Sequence, residues 1–238
     1  MLELTHARIG YGPVTVVGDL NLTVGDGESV FLIGPNGAGK STTLRGISGL
    51  NGLQAGTMTW DGQDITHLPA SRRAARGIAV VPEGRHVFTQ LTVQENLEVA
   101  ARAVNRAAVR ERIDEVFDLF PRLRERQHSF GGLLSGGEQQ MLAIGRALAQ
   151  RPRLLIIDEL SLGLAPVIYQ HVGETVRELA AGGLSVLLVE QNARLAMRIC
   201  SRGYLLAHGE VVLAGTVEEL ERTDEMRDLY LGGLGKVG

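Results

Sequence analysis

The run "GPNGAGKST" at residues 34–42 restricts the fold of this chain more than any other feature, because of what stands on either side of it. An apolar stretch, "SVFLI", precedes it, and a segment with Leu44 and Ile47 at helical spacing follows. Residues 34–41 fit G-x-x-x-x-G-K-[ST] in the strand, loop and helix context that gives the pattern its meaning. Gly34, Gly37 and Gly39 let the backbone curl around Pro35, Asn36 and Ala38 with its N–H groups inward. Lys40 is placed to neutralise the β- and γ-phosphates of a nucleotide, and the Ser41 hydroxyl, followed by Thr42, can ligate Mg²⁺. The alternative is a glycine turn that merely joins strand to helix.

A strand feeding such a loop belongs to a buried parallel sheet, and the sequence holds four segments of suitable composition. They are "SVFLIG", "GIAVVP", "RLLIID" and "LSVLLVE", short and nearly all apolar, with helical stretches between several of them. The first sixty or so residues differ. "LELTHARIG" and "LNLTV" alternate apolar with polar, and "GTMTWDG" closes a hairpin-like piece, which predicts an antiparallel sheet. From Leu91 to Gln150 strand signals stop and the chain is helix-rich and charged. The expected fold is therefore an α/β core from residues 1–90 and 151–238, with an antiparallel β subdomain, and an α-helical lobe inserted at 91–150. Within the lobe, Arg102, Arg106, Arg110 and Arg112 are interleaved with Glu111, Asp114 and Glu115, which predicts a solvated helix face. "GYLLAHGEVVLAG" reads as a hairpin, and "TVEELERTDEMRDLYLG" as terminal helical turns.

Composition narrows the function. The chain has 238 residues, 44% of them hydrophobic and 21% charged, which suits a folded protein with a sizeable core. Its net charge of −3, without a basic stripe, argues against a nucleic-acid partner. The apolar runs are far shorter than the ~20 residues that span a bilayer, and no secretory leader opens the sequence, so a cytoplasmic protein is expected. A single cysteine, Cys200, excludes an intrachain disulfide, and its place among Leu195, Met197 and Ile199 predicts core packing.

Two further segments carry chemistry. "LLIIDE" ends an apolar strand in two carboxylates, Asp158 to hold Mg²⁺ through water and Glu159 to orient or deprotonate an attacking water. Within the helical lobe, Leu134, Ser135, Gly136, Gly137 and Glu138 open a helix marked by Met141, Ile144, Gly145 and Leu148. A serine and two glycines at a helix start make a second anion cradle, distant in sequence from the first.

These motifs in this order, "GPNGAGKST", "LSGGEQQ" and "LLIIDE", resemble the nucleotide-binding subunit of ABC transporters along essentially the whole chain. The resemblance implies a P-loop NTPase of ABC type that binds ATP with Mg²⁺. It also implies a head-to-tail pair with a second such subunit, a sibling or a second copy, in which residues 134–138 close over the partner's ATP. Tyr11 stands where the family stacks an aromatic on adenine, with Val16 behind it, although an exposed strand-end tyrosine is an alternative. "VPEGRHVFTQLTVQENL", "LSLGLAP" and "LLVEQNA" are similar to the F-type ATPase of branched-chain amino acid importers. Such a subunit works on the inner membrane face with two integral permeases and, indirectly, a periplasmic or extracellular binding protein. Val87 and Phe88 would be exposed toward the permease.

The family pattern is not followed throughout. Glu83 stands where a Mg²⁺-touching Gln is common, Gln191 where a switch His is common, Ala165 in place of Asp and Leu160 in place of Pro. Glu83, Gln191 and Ala165 suit the importer subgroup, and Leu160 has no explanation in sequence. The resemblance implies that Glu83 and Gln191 approach the γ-phosphate, Glu83 as a ligand of Mg²⁺ and Gln191 as a catalytic hydrogen-bond donor to the phosphate. Three alternatives remain: an ATPase for urea or short-chain amides, a soluble ABC-type ATPase of DNA repair or translation, and a regulatory module without turnover. Glu159 argues against the last.

Overall fold

The computed structural model describes residues 1–102 and 108–226. Arg106 and residues 227–232 of the expected C-terminal turns lie outside them. Strands β1 (Leu2–Tyr11) and β2 (Val14–Val24) form an antiparallel hairpin, and β4 (Leu53–Trp60) pairs with the other edge of β1. The predicted alternation in β1 changes phase midway: Leu2 and Leu4 are buried, then Ala7 and Ile9. A register shift between Leu4 and Ala7, with His6 at φ 48°, inserts the extra residue that turns the second half over. The short strand β5 (Gln63–Asp64) closes a hairpin on β4 through Asp61 and Gly62.

The four apolar segments form β3 (Ser29–Ile33), β6 (Ile78–Val81), β7 (Leu154–Asp158) and β8 (Ser185–Glu190). With β9 (Arg202–Ala207) they make a parallel sheet in the order β9-β3-β8-β7-β6. Strand β10 (Glu210–Thr216) folds back on β9 as the predicted hairpin. One register pair, Asp19 with Glu210, joins β10 to β2 and makes the order continuous over ten strands. Strand β8 pairs with both β3 and β7, so the loops leaving these three C-terminal ends are neighbours, the usual place for a ligand in an open parallel sheet.

The helices α1 (Lys40–Ser48), α2 (Ala70–Ala74), α3 (Val93–Arg102), α4 (Val109–Leu119), α5 (Pro121–Glu125), α6 (Gly136–Leu148), α7 (Pro166–Ala181), α8 (Ala193–Ile199) and α9 (Val217–Leu220) cover this sheet. Leu44 and Ile47 of α1 pack with the antiparallel strands on one side, while α3, α4, α6, α7 and α8 share a second apolar cluster with Phe31, Leu155 and Leu188. Cys200 is buried there, as expected, and burial pushes its thiol up. The solvated arginine face holds only in part. Arg102 pairs with Glu98, but Arg112 is buried and donates to the carbonyl of Ala149 at the end of α6. Interleaved charges describe a local pattern, and Arg112 instead turns toward the carbonyl that ends α6. Leu160 also gains an account: it is fully buried in the second cluster.

The phosphate-loop helix is anchored from below by Arg73. Its buried guanidinium donates to the carbonyls of Gly46 (2.6 Å) and Ile47 (2.8 Å) at the end of α1, and to Leu68 (2.8 Å) and Thr66 (2.9 Å). A cation suits the negative end of a helix dipole; Gly46 also accepts from Gly49 N–H (3.2 Å), and the carbonyls of Ile47, Leu68 and Thr66 take their side-chain donor from Arg73. Arg73→Ala should therefore cost about 3 kcal/mol in urea unfolding. An unchanged midpoint would show that water serves these carbonyls equally well.

Candidate active site

The loop between β3 and α1 is shaped by what surrounds it. A Cβ on Gly34 would stand 2.2 Å from the carbonyl oxygen of Leu206, so only glycine lets the loop lie against β9. Gly39 has φ 108° and caps α1, a conformation closed to side chains, and a Cβ there would meet Val17 at 2.9 Å. Lys40 is buried, and its Nζ folds back onto the carbonyls of Gly34 (2.8 Å) and Pro35 (3.2 Å). Burial lowers its pKa, opposed by the charges of Glu159, Asp158, Glu190 and Glu83. Tyr11 ends β1 beside this loop. Its phenol is pulled below the usual range chiefly by Thr42, and it accepts from Arg45 Nη1 at 3.4 Å. Val16 is half-buried against the same cluster as α1.

Asp158 closes β7 and is buried, with Oδ1 lacking any hydrogen-bond partner. Burial first, then the charges of Glu159 and Glu83, push its carboxyl up to about 6. Such an oxygen calls for a cation. No group of three His, Cys, Asp or Glu side chains among the described residues could hold a metal unaided. A Mg²⁺ that brings phosphate and water ligands with it, and takes one carboxylate and the Ser41 hydroxyl from protein, fits this donor set.

Glu159 sits at φ 50°, with its N–H bonded to the carbonyl of Val189 in β8. Its carboxylate accepts a 2.6 Å hydrogen bond from Gln191 Nε2. The structure thus joins Gln191 to Glu159, whereas Glu83 reaches this cluster through its charge on Asp158 and Lys40. Sequence reasoning missed Glu190. Buried at the end of β8, it accepts from Ser161 N (2.9 Å), Ser161 Oγ (3.1 Å) and Gln191 N (3.1 Å), which fixes the turn after Glu159. A carboxylate ending the apolar run "LSVLLVE" was the available signal.

The second cradle is occupied by its own chain. Ser135 caps α6, and both its N–H and its hydroxyl donate to Glu138 at 2.8 Å, while Glu138 N–H returns to Ser135 Oγ at 3.3 Å. Burial works against ionisation of Glu138, but the Ser135 donors, Arg126 and Arg122 outweigh it and hold the carboxyl below its usual range. Gly136 and Gly137 start the helix. Leu134 is buried beneath the cap. Phe88 is exposed as expected, under the guanidinium of Arg146 at 4.2 Å, but Val87 is half-buried against the core.

A glycine-cradled lysine beside a strand-end Asp-Glu pair, at the C-terminal edge of a parallel sheet, defines a P-loop nucleotide-binding protein. The chain belongs to the ABC transporter family, whose profile matches residues 17–161. It is 44% identical over 233 residues to the high-affinity branched-chain amino acid transport ATP-binding protein BraG of Pseudomonas aeruginosa, covering 98% of this chain and 100% of that one. A probable branched-chain amino acid transport ATP-binding protein, LivF, of Archaeoglobus fulgidus is 37% identical, covering 98% and 99%. Among solved structures, an ATP-binding subunit of an ABC transporter superposes with a TM-score of 0.84 at 33% identity, covering 99% and 100%. A dimeric ATP-binding cassette bound to ADP and Pi superposes at 0.82 with 25% identity, covering 91% and 99%.

The raised Asp158 carboxyl has a consequence for stability. An acid whose pKa rises on folding favours the folded chain when protonated, so that stability is present below 3.8 and is lost as pH climbs to about 6. In chelator and without nucleotide, Asp158→Asn should stabilise the protein by about 2–3 kcal/mol at neutral pH, with the gain vanishing toward acid. Unfolding curves that differ equally at acid and neutral pH would refute this.

Proposed function

We propose that this chain is the ATP-hydrolysing subunit of an importer for branched-chain or other hydrophobic amino acids. The observation that carries the reading is the meeting of Lys40, Asp158 and Glu159 at adjacent strand ends, with Gln191 bonded to Glu159. The substrate class rests on full-length likeness to two branched-chain amino acid transport proteins.

In this reading the amides of residues 34–42 wrap the phosphates, and Lys40 exchanges its loop carbonyls for phosphate oxygens. Tyr11, backed by Val16, stacks on the adenine. Mg²⁺, held by Ser41 and Asp158 with Glu83 nearby, would neutralise phosphate charge and polarise the reacting phosphoryl group. Glu159 receives the proton of the attacking water, and Gln191 orients its carboxylate. The amide of Gln191 does not change charge between pH 5 and 8, so this position adds no titration of its own. Ser135, Gly136 and Gly137 present their donors to the nucleotide of a partner subunit, once the Ser135 hydroxyl leaves Glu138. The dimeric cassette bound to ADP and Pi supports such pairing. The helical lobe at 91–150, carrying this signature, moves with the partner's ATP. No described helix is long and apolar enough to cross a membrane, so attachment to the inner face runs through permeases, and a binding protein delivers the substrate to them.

The test uses the subunit assembled with its permeases in vesicles. Lys40→Ala should abolish nucleotide binding, whereas Glu159→Gln should keep it and lower kcat by about 10²–10³-fold. Gln191→Ala should lower kcat by roughly tenfold, through loss of carboxylate orientation. Uptake of labelled leucine, isoleucine or valine should follow ATPase activity across the series. Rapid turnover by Glu159→Gln, or uptake indifferent to all three changes, would defeat the proposal.

A further inference from the structure

Arg85 has no part in the reaction as described, yet its guanidinium meets separate parts of the chain. Nη2 donates to the carbonyls of Leu162 (3.1 Å) and Gly163 (3.2 Å), in the loop that follows Glu159. The same group lies against Gly136, the first residue of α6, where a Cβ would stand 3.0 Å from Nη1 and 3.2 Å from Nη2. Arg85 is also only two residues beyond Glu83, in a run that is left-handed at Gly84 (φ 78°), Arg85 (φ 67°) and His86 (φ 46°). Two successive non-glycine residues in that region persist only where their surroundings hold them. Here Arg146 of α6 does so, donating to the His86 carbonyl at 2.6 Å.

The loop after Glu159 is thereby gripped from two sides. Glu190 holds it through Ser161, and Arg85 holds it through the next two carbonyls. We infer that Arg85 is a positioning residue for ATP hydrolysis, fixing the loop behind Glu159 relative to the signature cradle on α6 and coupling both to the segment of Glu83. The inference rests on the proposed function, in which Glu159 acts on the chain's own nucleotide and Ser135 on the partner's. Arg85 then keeps one composite site in register with the other. Nη2 alone serves both carbonyls, which an ammonium could also do, but only a planar guanidinium also lays its face against the glycine. Arg85 is only half-buried and its hydrogen bonds go to the carbonyls of Leu162 and Gly163, so removing it deletes no hydrogen bond of Lys40 or of the Ser135 cap.

Arg85→Ala and Arg85→Lys test this in the assembled transporter and in the isolated subunit. Arg85→Ala should lower kcat about ten- to a hundredfold, with KM for ATP and the subunit's ATP affinity within about twofold of the parent. The lysine variant should recover only part of the rate. In the isolated nucleotide-free subunit, amide hydrogen exchange should rise in Arg85→Ala at both residues 160–165 and 134–139, with an unchanged thermal midpoint. An unaltered kcat, a fall in kcat matched by lost ATP affinity, or exchange that rises in one segment only would each overturn the assignment. A parent transporter that hydrolyses no ATP would defeat the proposed function instead, and the exchange data on the isolated subunit would still decide whether Arg85 links the two segments.

Discussion

Too many carboxylates around one lysine is the constraint on which the site depends. Glu159, Asp158, Glu190 and Glu83 all act on the buried ammonium of Lys40, which by itself balances one of them. Asp158 sits in this cluster with an unpartnered Oδ1, and its carboxyl is pushed up first by burial and then by the charges of Glu159 and Glu83. Adding a triphosphate alone would deepen the deficit. In the proposed function a divalent cation accompanying the nucleotide would reverse it, with the Asp158 oxygen as one of its ligands. Strands β3, β7 and β8 are locked by their ladder and by apolar packing on both faces, so repulsion among these carboxylates cannot relax by spreading the strands.

Much of this was legible in sequence, wherever residue type alone dictates conformation or charge. Gly34 and Gly39 are required by a close carbonyl and by a left-handed backbone, and the apolar runs of β3, β7 and β8 could only be buried strands. Asp158 and Glu159 followed because a strand end places successive residues at the sheet's edge. What was not legible depends on partners remote in the chain. Arg73 looks like any basic residue of a short helix until α1 ends above it, and Arg112 was read as solvated because α6 cannot be seen from its own helix. Leu160 departs from the family pattern yet is simply a core residue once the second cluster is assembled. Glu83 and Gln191 were expected at the γ-phosphate, and the contact that the sequence did not disclose is the bond from Gln191 to Glu159.

The Gln191–Glu159 bond shows how the site is organised. The backbone of Glu159 turns left-handed on leaving β7, and its N–H is claimed by Val189 of the neighbouring strand. Its carboxylate is claimed by Gln191, one residue past the end of β8, and the next turn by Glu190 at that end. Strand β8 therefore sets the geometry of a residue that belongs to β7. Val189, Glu190 and Gln191 are successive, so a shift at this strand end would reach the Glu159 amide, its carboxylate and its following loop together.

The signature cradle follows a different logic. Its helix start is satisfied locally, because Glu138 supplies the negative charge that the Ser135 donors and the helix dipole favour. Ser135 Oγ has one proton, and in this arrangement it points at Glu138, leaving lone pairs toward any approaching anion. A phosphate oxygen is itself an acceptor, so it gains the hydroxyl only by taking that proton's direction away from Glu138. The cap is thus a competitor for the ligand that the proposed dimer would bring. The first cradle has the same property, since Lys40 must leave the carbonyls of Gly34 and Pro35 to meet phosphate. Both cradles are kept satisfied without ligand, which avoids the cost of bare buried donors. In the proposed function nucleotide binding would exchange hydrogen bonds at each cradle, and the net gain would come from a cation that relieves the crowding of carboxylates around Asp158.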